Sequence, residues 1–236
     1  MAKRNYRPRR VIRRRPYVNK TKKMVTGQGP TLLEQLARGA SGVATVAKAV
    51  LPIVSAINTE AKYLDVSYSG NLTITTPSIT CITALAQGLT DITRIGNSLL
   101  AKSINIKYRF NTSDTAQHIQ TRIVIFVDKL QGGTAPTLAQ LMSDTASILS
   151  HHNKNYTDRF VILKDRIFDM NLNNQVRVIH TNKYYKELNF HCRYLGTSAA
   201  DASLGPNNVY VMMWSTNSTG TSTSAAFYSR LNFTDN

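Results

Sequence analysis

Between Ser103 and Phe110 the chain reads SINIKYRF. Ile104, Ile106, Tyr108 and Phe110 fall at every second position, with Asn105, Lys107 and Arg109 between them. A period of two sends successive side chains to opposite faces of an extended strand, so this segment has one face to bury and one to hydrate. The pattern recurs over 186–194, where Lys186, Leu188, Phe190, Cys192 and Tyr194 stand opposite Glu187, Asn189, His191 and Arg193. It recurs again where Phe227, Ser229, Leu231 and Phe233 alternate with Tyr228, Arg230 and Asn232. Three further runs, RIVIFV at 122–127, FVIL at 160–163 and VYVMMW at 209–214, are apolar on both faces, as expected of central strands covered on both sides.

Turn residues punctuate these runs: Gly96-Asn97, Gly132-Gly133, Asn173-Asn174, Gly205 to Asn208 and the Ser/Thr/Gly stretch 215–224. One short helix is expected at 136–143, with Pro136 in its first turn. About eight strands joined by long, polar connections predict an all-β two-sheet sandwich, and the unequal loops favour a jelly roll over an immunoglobulin-like arrangement. A chain of 236 residues accommodates this as one large domain.

The net charge of +16 is not spread over such a body. Residues 1–23 hold Lys3, Arg4, Arg7, Arg9, Arg10, Arg13, Arg14, Arg15, Lys20, Lys22 and Lys23, which is 11 cations and no acid. The remaining 29 − 11 = 18 cations face 13 acids, leaving +5. Like charges at that density repel, and little apolar surface offsets the entropy of ordering, so residues 1–30 are expected to be a disordered arm. Its chemistry suits phosphate neutralisation, which is salt-dependent and largely indifferent to sequence. Tyr6 and Tyr17 add rings that stack on unpaired bases. No zinc finger, helix-turn-helix or RNA-recognition signature accompanies them, so the arm contacts nucleic acid without reading bases. The same basic run suits a nuclear-import signal, and a membrane-surface anchor is the weaker alternative.

Residues 31–57 begin with a capping box, Thr31 to Glu34, and carry Leu36, Ala40, Val43, Ala47, Val50, Val54 and Ile57 at alternating spacings of four and three. This predicts an amphipathic helix broken near Pro52. An inner-face arm helix is favoured over a self-associating seam or a membrane-active helix. The organisation expected is therefore a basic arm (1–30), a helical arm segment (31–57) and a β-sandwich body (58–236).

Catalysis finds little support. His151-His152 are adjacent and point apart, which makes a poor chelate. Asp128, Asp165, Asp169 and Asp201 are expected as surface or turn carboxylates, with cation binding at a subunit contact the alternative. No nucleophile elbow, zinc-helix, Walker or dinucleotide motif occurs. Cys81 and Cys192 are too few for a disulfide scaffold and lack metal-ligand spacing, which favours reduced thiols, and no secretory leader is expected. No cofactor, metal or enzymatic activity is expected.

Four segments in order carry a family resemblance: INTEAKYLDV (57–66), LTDITRIGNSLLAKSINIKY (89–108), RIVIFVDKLQGGTAPTLAQLM (122–142) and RFVILKDRIFDM (159–170). Together they resemble the single-jelly-roll capsid proteins of circular, replication-initiator-encoding single-stranded DNA viruses (CRESS-DNA viruses). The coats of small plant satellite RNA viruses share a similar plan. The resemblance implies eight strands in two antiparallel four-stranded sheets, and a closed T=1 shell of about 60 copies with the arm inside. At about 60 copies the arms would supply about 660 positive charges for a small single-stranded genome, DNA on this resemblance. It further implies residence in the virion, with the host nucleus and its import receptors met during assembly. No host receptor is legible.

Overall fold

The computed structural model describes residues 61–112, 118–170, 178–217 and 223–235. The basic arm with its eleven cations, Lys3 to Lys23, and the helix expected over 31–57 lie outside the described residues.

Eight strands appear in order: β1 (Ala61–Asn71), β2 (Ser78–Cys81), β3 (Ser98–Thr112), β4 (Ile119–Asp128), β5 (Phe160–Met170), β6 (Val178–Arg193), β7 (Asn208–Ser215) and β8 (Thr223–Asp235). They form two antiparallel four-stranded sheets ordered β1-β8-β3-β6 and β2-β7-β4-β5. Each sheet is assembled from strands distant in sequence, as a jelly roll requires. The fold class expected from period-two patterning is the one observed.

The core lies between the sheets. Ile104, Ile106, Tyr108 and Phe110 of β3, with Phe227, Leu231 and Phe233 of β8, are buried from one side. From the other, Phe168 of β5 meets Tyr108 and Phe110 at ring-centroid distances of 6.0 and 5.3 Å. The alternation in SINIKYRF thus decides which face of β3 is buried. A register shift between Ala101 and Ser103 resets the phase, so inward positions run Leu99, Ala101 and then Ile104, Ile106. Asn189 takes up the matching irregularity of β6 with φ of 61°, a left-handed conformation that Asn tolerates.

The all-apolar runs divide. β7 is buried at every position, and nine of the ten positions of β4 are too. These two strands are the centre of their sheet. FVIL, expected in a central strand, instead opens β5 at the edge of that sheet, and Val161 is 42% exposed. A short apolar run cannot distinguish edge from centre, because lateral pairing is set by topology. The outer face of sheet β2-β7-β4-β5 is roofed by the 129–159 connection. Arg122 on that face donates to the carbonyls of Ile148 and Ser150, both at 2.7 Å, and Gln131 donates to Tyr210 Oη at 2.7 Å. Within the roof, α1 (Leu138–Leu141) is shorter than the helix expected at 136–143. Thr137 is its N-cap and exchanges hydrogen bonds with Gln140. Pro136 therefore precedes the cap and is not in the first turn, because a capping side chain was available one residue later.

Cys81 and Cys192 are both buried as free thiols. Burial pushes the Cys81 thiol up to about 12 and raises Cys192 as well. Both thiols are expected to resist iodoacetamide at pH 8 in the native protein and to react on unfolding. Mass spectrometry showing native-state alkylation of either would contradict this packing.

Candidate assembly surface at the loop end

Three connections, 82–97, 129–159 and 194–207, leave the same end of the sandwich, and β1 begins and β8 ends there. Loops crowd many backbone polar groups into little space, and each buried one needs a partner. Cationic side chains supply several of them.

Arg94 has no solvent exposure. Its guanidinium donates to the carbonyls of Leu85, Gly96 and Gly196 and lies 4.1 Å from the centre of the Tyr194 ring. Three acceptors and an aromatic face surround one planar cation, the geometry that distinguishes arginine from lysine. The clamp joins 82–97 to 194–207, and the Gln87 amide donating to the Thr197 carbonyl at 2.8 Å reinforces it. Lys62, near the start of β1, plays a similar part. Its Nζ lies 2.9 Å from Asp235 and donates to the carbonyls of Thr90 and Thr93. The third loop is held by Asp128, which is fully buried and accepts from Arg159 at 2.9 and 2.7 Å. Gly133, at φ of 85°, donates to Leu204 O, and a Cβ there would sit 3.3 Å from Ala202 O.

On this braced end Leu89 (90% exposed), Ile92, Ile95, Leu130 and Leu195 face solvent. Single exposed apolar residues are ordinary; several on interlocked loops make this end a candidate for a protein contact. The hydrogen bonds of Arg94 and Lys62 already order these loops within the subunit, so association would cost little further conformational entropy.

The expected site residues fare unevenly. The eleven arm cations lie outside the described residues. Asp128 departs from the surface role expected of it, because Arg159 makes burial of its charge tolerable. Asp165 pairs with Arg122 at 2.5 Å and with His152 at 3.0 Å, while Asp169 accepts from Gln120. Asp201 opens a 3-10 turn over Asp201–Ser203. Among the described residues no three His, Cys, Asp or Glu side chains come together as a metal site. Arg94 was visible in sequence within LTDITRIGN, but nothing in a polar loop motif signals that its cation is the hub of the loop end.

Replacing Arg94 with Met should leave three carbonyls unpaired and cost about 3 kcal/mol. Thermal denaturation should then show Tm lower by roughly 6–12 °C. An unchanged Tm would remove the clamp from this account. Leu89→Ser combined with Leu195→Ser should leave Tm within about 2 °C, since both side chains are exposed. The same pair should abolish higher-order assembly in sedimentation velocity.

The family model for the satellite tobacco necrosis virus coat protein matches residues 36–236, which includes every described strand. Solved structures similar to the chain include Desmodium yellow mottle tymovirus. That match has 10% identity, covers 75% of this chain and 88% of the other, and has a TM-score of 0.35. They also include infectious bursal disease virus strain Gx, at 7% identity, 75% and 38% coverage and a TM-score of 0.22. No curated protein sequence matches. The family matched is a satellite virus coat and not the CRESS-DNA coats that the four sequence segments resemble; the short segments carry features common to jelly-roll coats and do not discriminate between these groups. The match starts after the eleven cations and takes in the sandwich and its loop end, and on it the chain belongs to the satellite tobacco necrosis virus coat protein family.

Proposed function

We propose that this viral coat protein closes, in about 60 identical copies, into a small icosahedral T=1 shell that packs single-stranded nucleic acid through its N-terminal arm. The observation that carries the reading is the order of parts. A coat-family span at 36–236 is preceded by 11 cations and no acid in residues 1–23. Such a polycation condenses phosphate without reading sequence. The shell contact itself needs no second protein, because closed symmetry repeats one surface pairing, and the braced loop end supplies apolar side chains for it. The family's role is structural and not enzymatic.

Two genome types follow from different observations. DNA follows from the resemblance of 57–66, 89–108, 122–142 and 159–170 to CRESS-DNA coats. RNA follows from the match to a satellite virus coat family, and it is the reading that match favours. Under the DNA reading the basic arm also addresses the chain to import receptors and the host nucleus.

Electron microscopy of the expressed full-length chain is expected to show uniform particles. Removal of residues 1–23 is expected to strip most of the nucleic acid from the particles, read from absorbance at 260 and 280 nm. A stable monomer at high concentration across all salts would overturn the reading. Particles from infected material, opened and treated separately with DNase and RNase, decide the genome type.

A further inference from the structure

The two sheets differ on their outer faces. One is roofed by 129–159, whereas no connection among the described residues covers the outward positions of β1-β8-β3-β6. Strand pairing brings distant residues on that face into rows. Ser67 lies beside Tyr228, Tyr228 beside Lys107, and Lys107 beside Lys183. The next row runs Asp65, Arg230, Asn105, Tyr185, and on the other side Arg109 lies beside Ala226 and Thr181.

Asp65 takes Arg230 in two hydrogen bonds of 2.7 Å, and that partner holds its carboxyl below the usual range. Arg230 also covers the Tyr63 ring at 4.8 Å. Lys107, Arg109 and Lys183 have no carboxylate partner among the described residues. Tyr228 is 53% exposed and stands between two adjacent shallow grooves. One, of about 450 Å³, is lined by Lys107 and Arg109. The other, of about 220 Å³, is lined by Lys107, Asn105 and Arg230. Tyr185, 54% exposed, lies on the same face.

We propose that this open face is a second contact surface for single-stranded nucleic acid, with Lys107, Arg109 and Lys183 on phosphates and Tyr228 stacked on a base. Cations track a backbone, and a ring between them accepts the π-face of any base, so the surface fits single strands without sequence preference. A base paired in a duplex offers no free face to Tyr228. The proposal rests on the coat-protein reading and locates a part of the cargo contact that the arm does not provide.

The test uses the full-length chain with its co-purified nucleic acid. Ultraviolet cross-linking and mass spectrometry are expected to place nucleotide adducts on peptides containing Lys107, Lys183 and Tyr228 as well as on the arm. Adducts confined to residues 1–57 overturn the proposal. Lys107→Gln/Arg109→Gln/Lys183→Gln should lower nucleic acid per particle by about a fifth, three charges of fourteen, and reduce the log-log salt slope by about 2. Lys129→Gln/Lys154→Gln/Lys164→Gln is the matched control, and an equal fall in it also overturns the proposal. Tyr228→Ala should weaken (dT)20 binding about fivefold, with Tyr228→Trp restoring it and a 20-base-pair duplex insensitive to both. If the unaltered chain forms no particles, the coat reading fails alone, because adduct positions and (dT)20 affinity are read equally on unassembled subunits.

Discussion

Everything in the described structure depends on the burial of alternate side chains between two antiparallel sheets. Ile104, Ile106, Tyr108 and Phe110 turn inward from β3, and the last two meet Phe168 across the gap. A slip of one residue would expose this set and bury Asn105, Lys107 and Arg109 instead, so the pairing register is strongly specified. Once the register is held, the strand ends are placed, and with them the three loops at one end of the sandwich. The register shift at Ala101/Ser103 works within the same constraint. It changes which parity faces inward while keeping apolar residues in the core.

Two consequences for function follow from that placement. At the loop end, side chains from 82–97, 129–159 and 194–207 must pack where backbone carbonyls converge, and Arg94 and Lys62 satisfy those carbonyls from inside. The carbonyls that Arg94 and Lys62 satisfy lie on residues of two loops, so these hydrogen bonds tie the loops to each other and to β1. A coat subunit needs such rigidity, because one contact must repeat at the same angle to close a shell. On the sheet faces, the long 129–159 connection covers one side. The other keeps the polar half of each strand's alternation, and Lys107, Arg109 and Lys183, without a carboxylate partner among the described residues, share it.

Six of the eight strands and the two-sheet class were legible from patterning: burial on one face imposes a spacing of two, as in β3, β6 and β8, and burial on both faces makes 122–127 and 209–214 continuously apolar. The position of 160–163 was not legible, since edge and central strands draw on the same apolar residues until their neighbours are known. The helix at Leu138–Leu141 was legible, but its start was not: Pro136 and Thr137 compete for the N-terminus, and the hydroxyl of Thr137 wins by bonding the Gln140 amide. Asp128 looked like a surface carboxylate because its partner, Arg159, is 31 residues away. The family was legible only as a jelly-roll coat: the short ordered segments led to circular DNA viruses, whereas the match over 36–236 is to a satellite virus coat.

By itself the sequence determined that a polycationic arm precedes a β-sandwich body. Charge density and period-two alternation are local properties, set by which residues follow one another. Tertiary structure alone decided that Arg94 is a buried hub, that β5 is an edge, and that Lys107, Lys183 and Tyr228 form one row. Each of these depends on strands or loops far apart in the chain becoming neighbours, and no local spacing encodes the order in which eight strands pair.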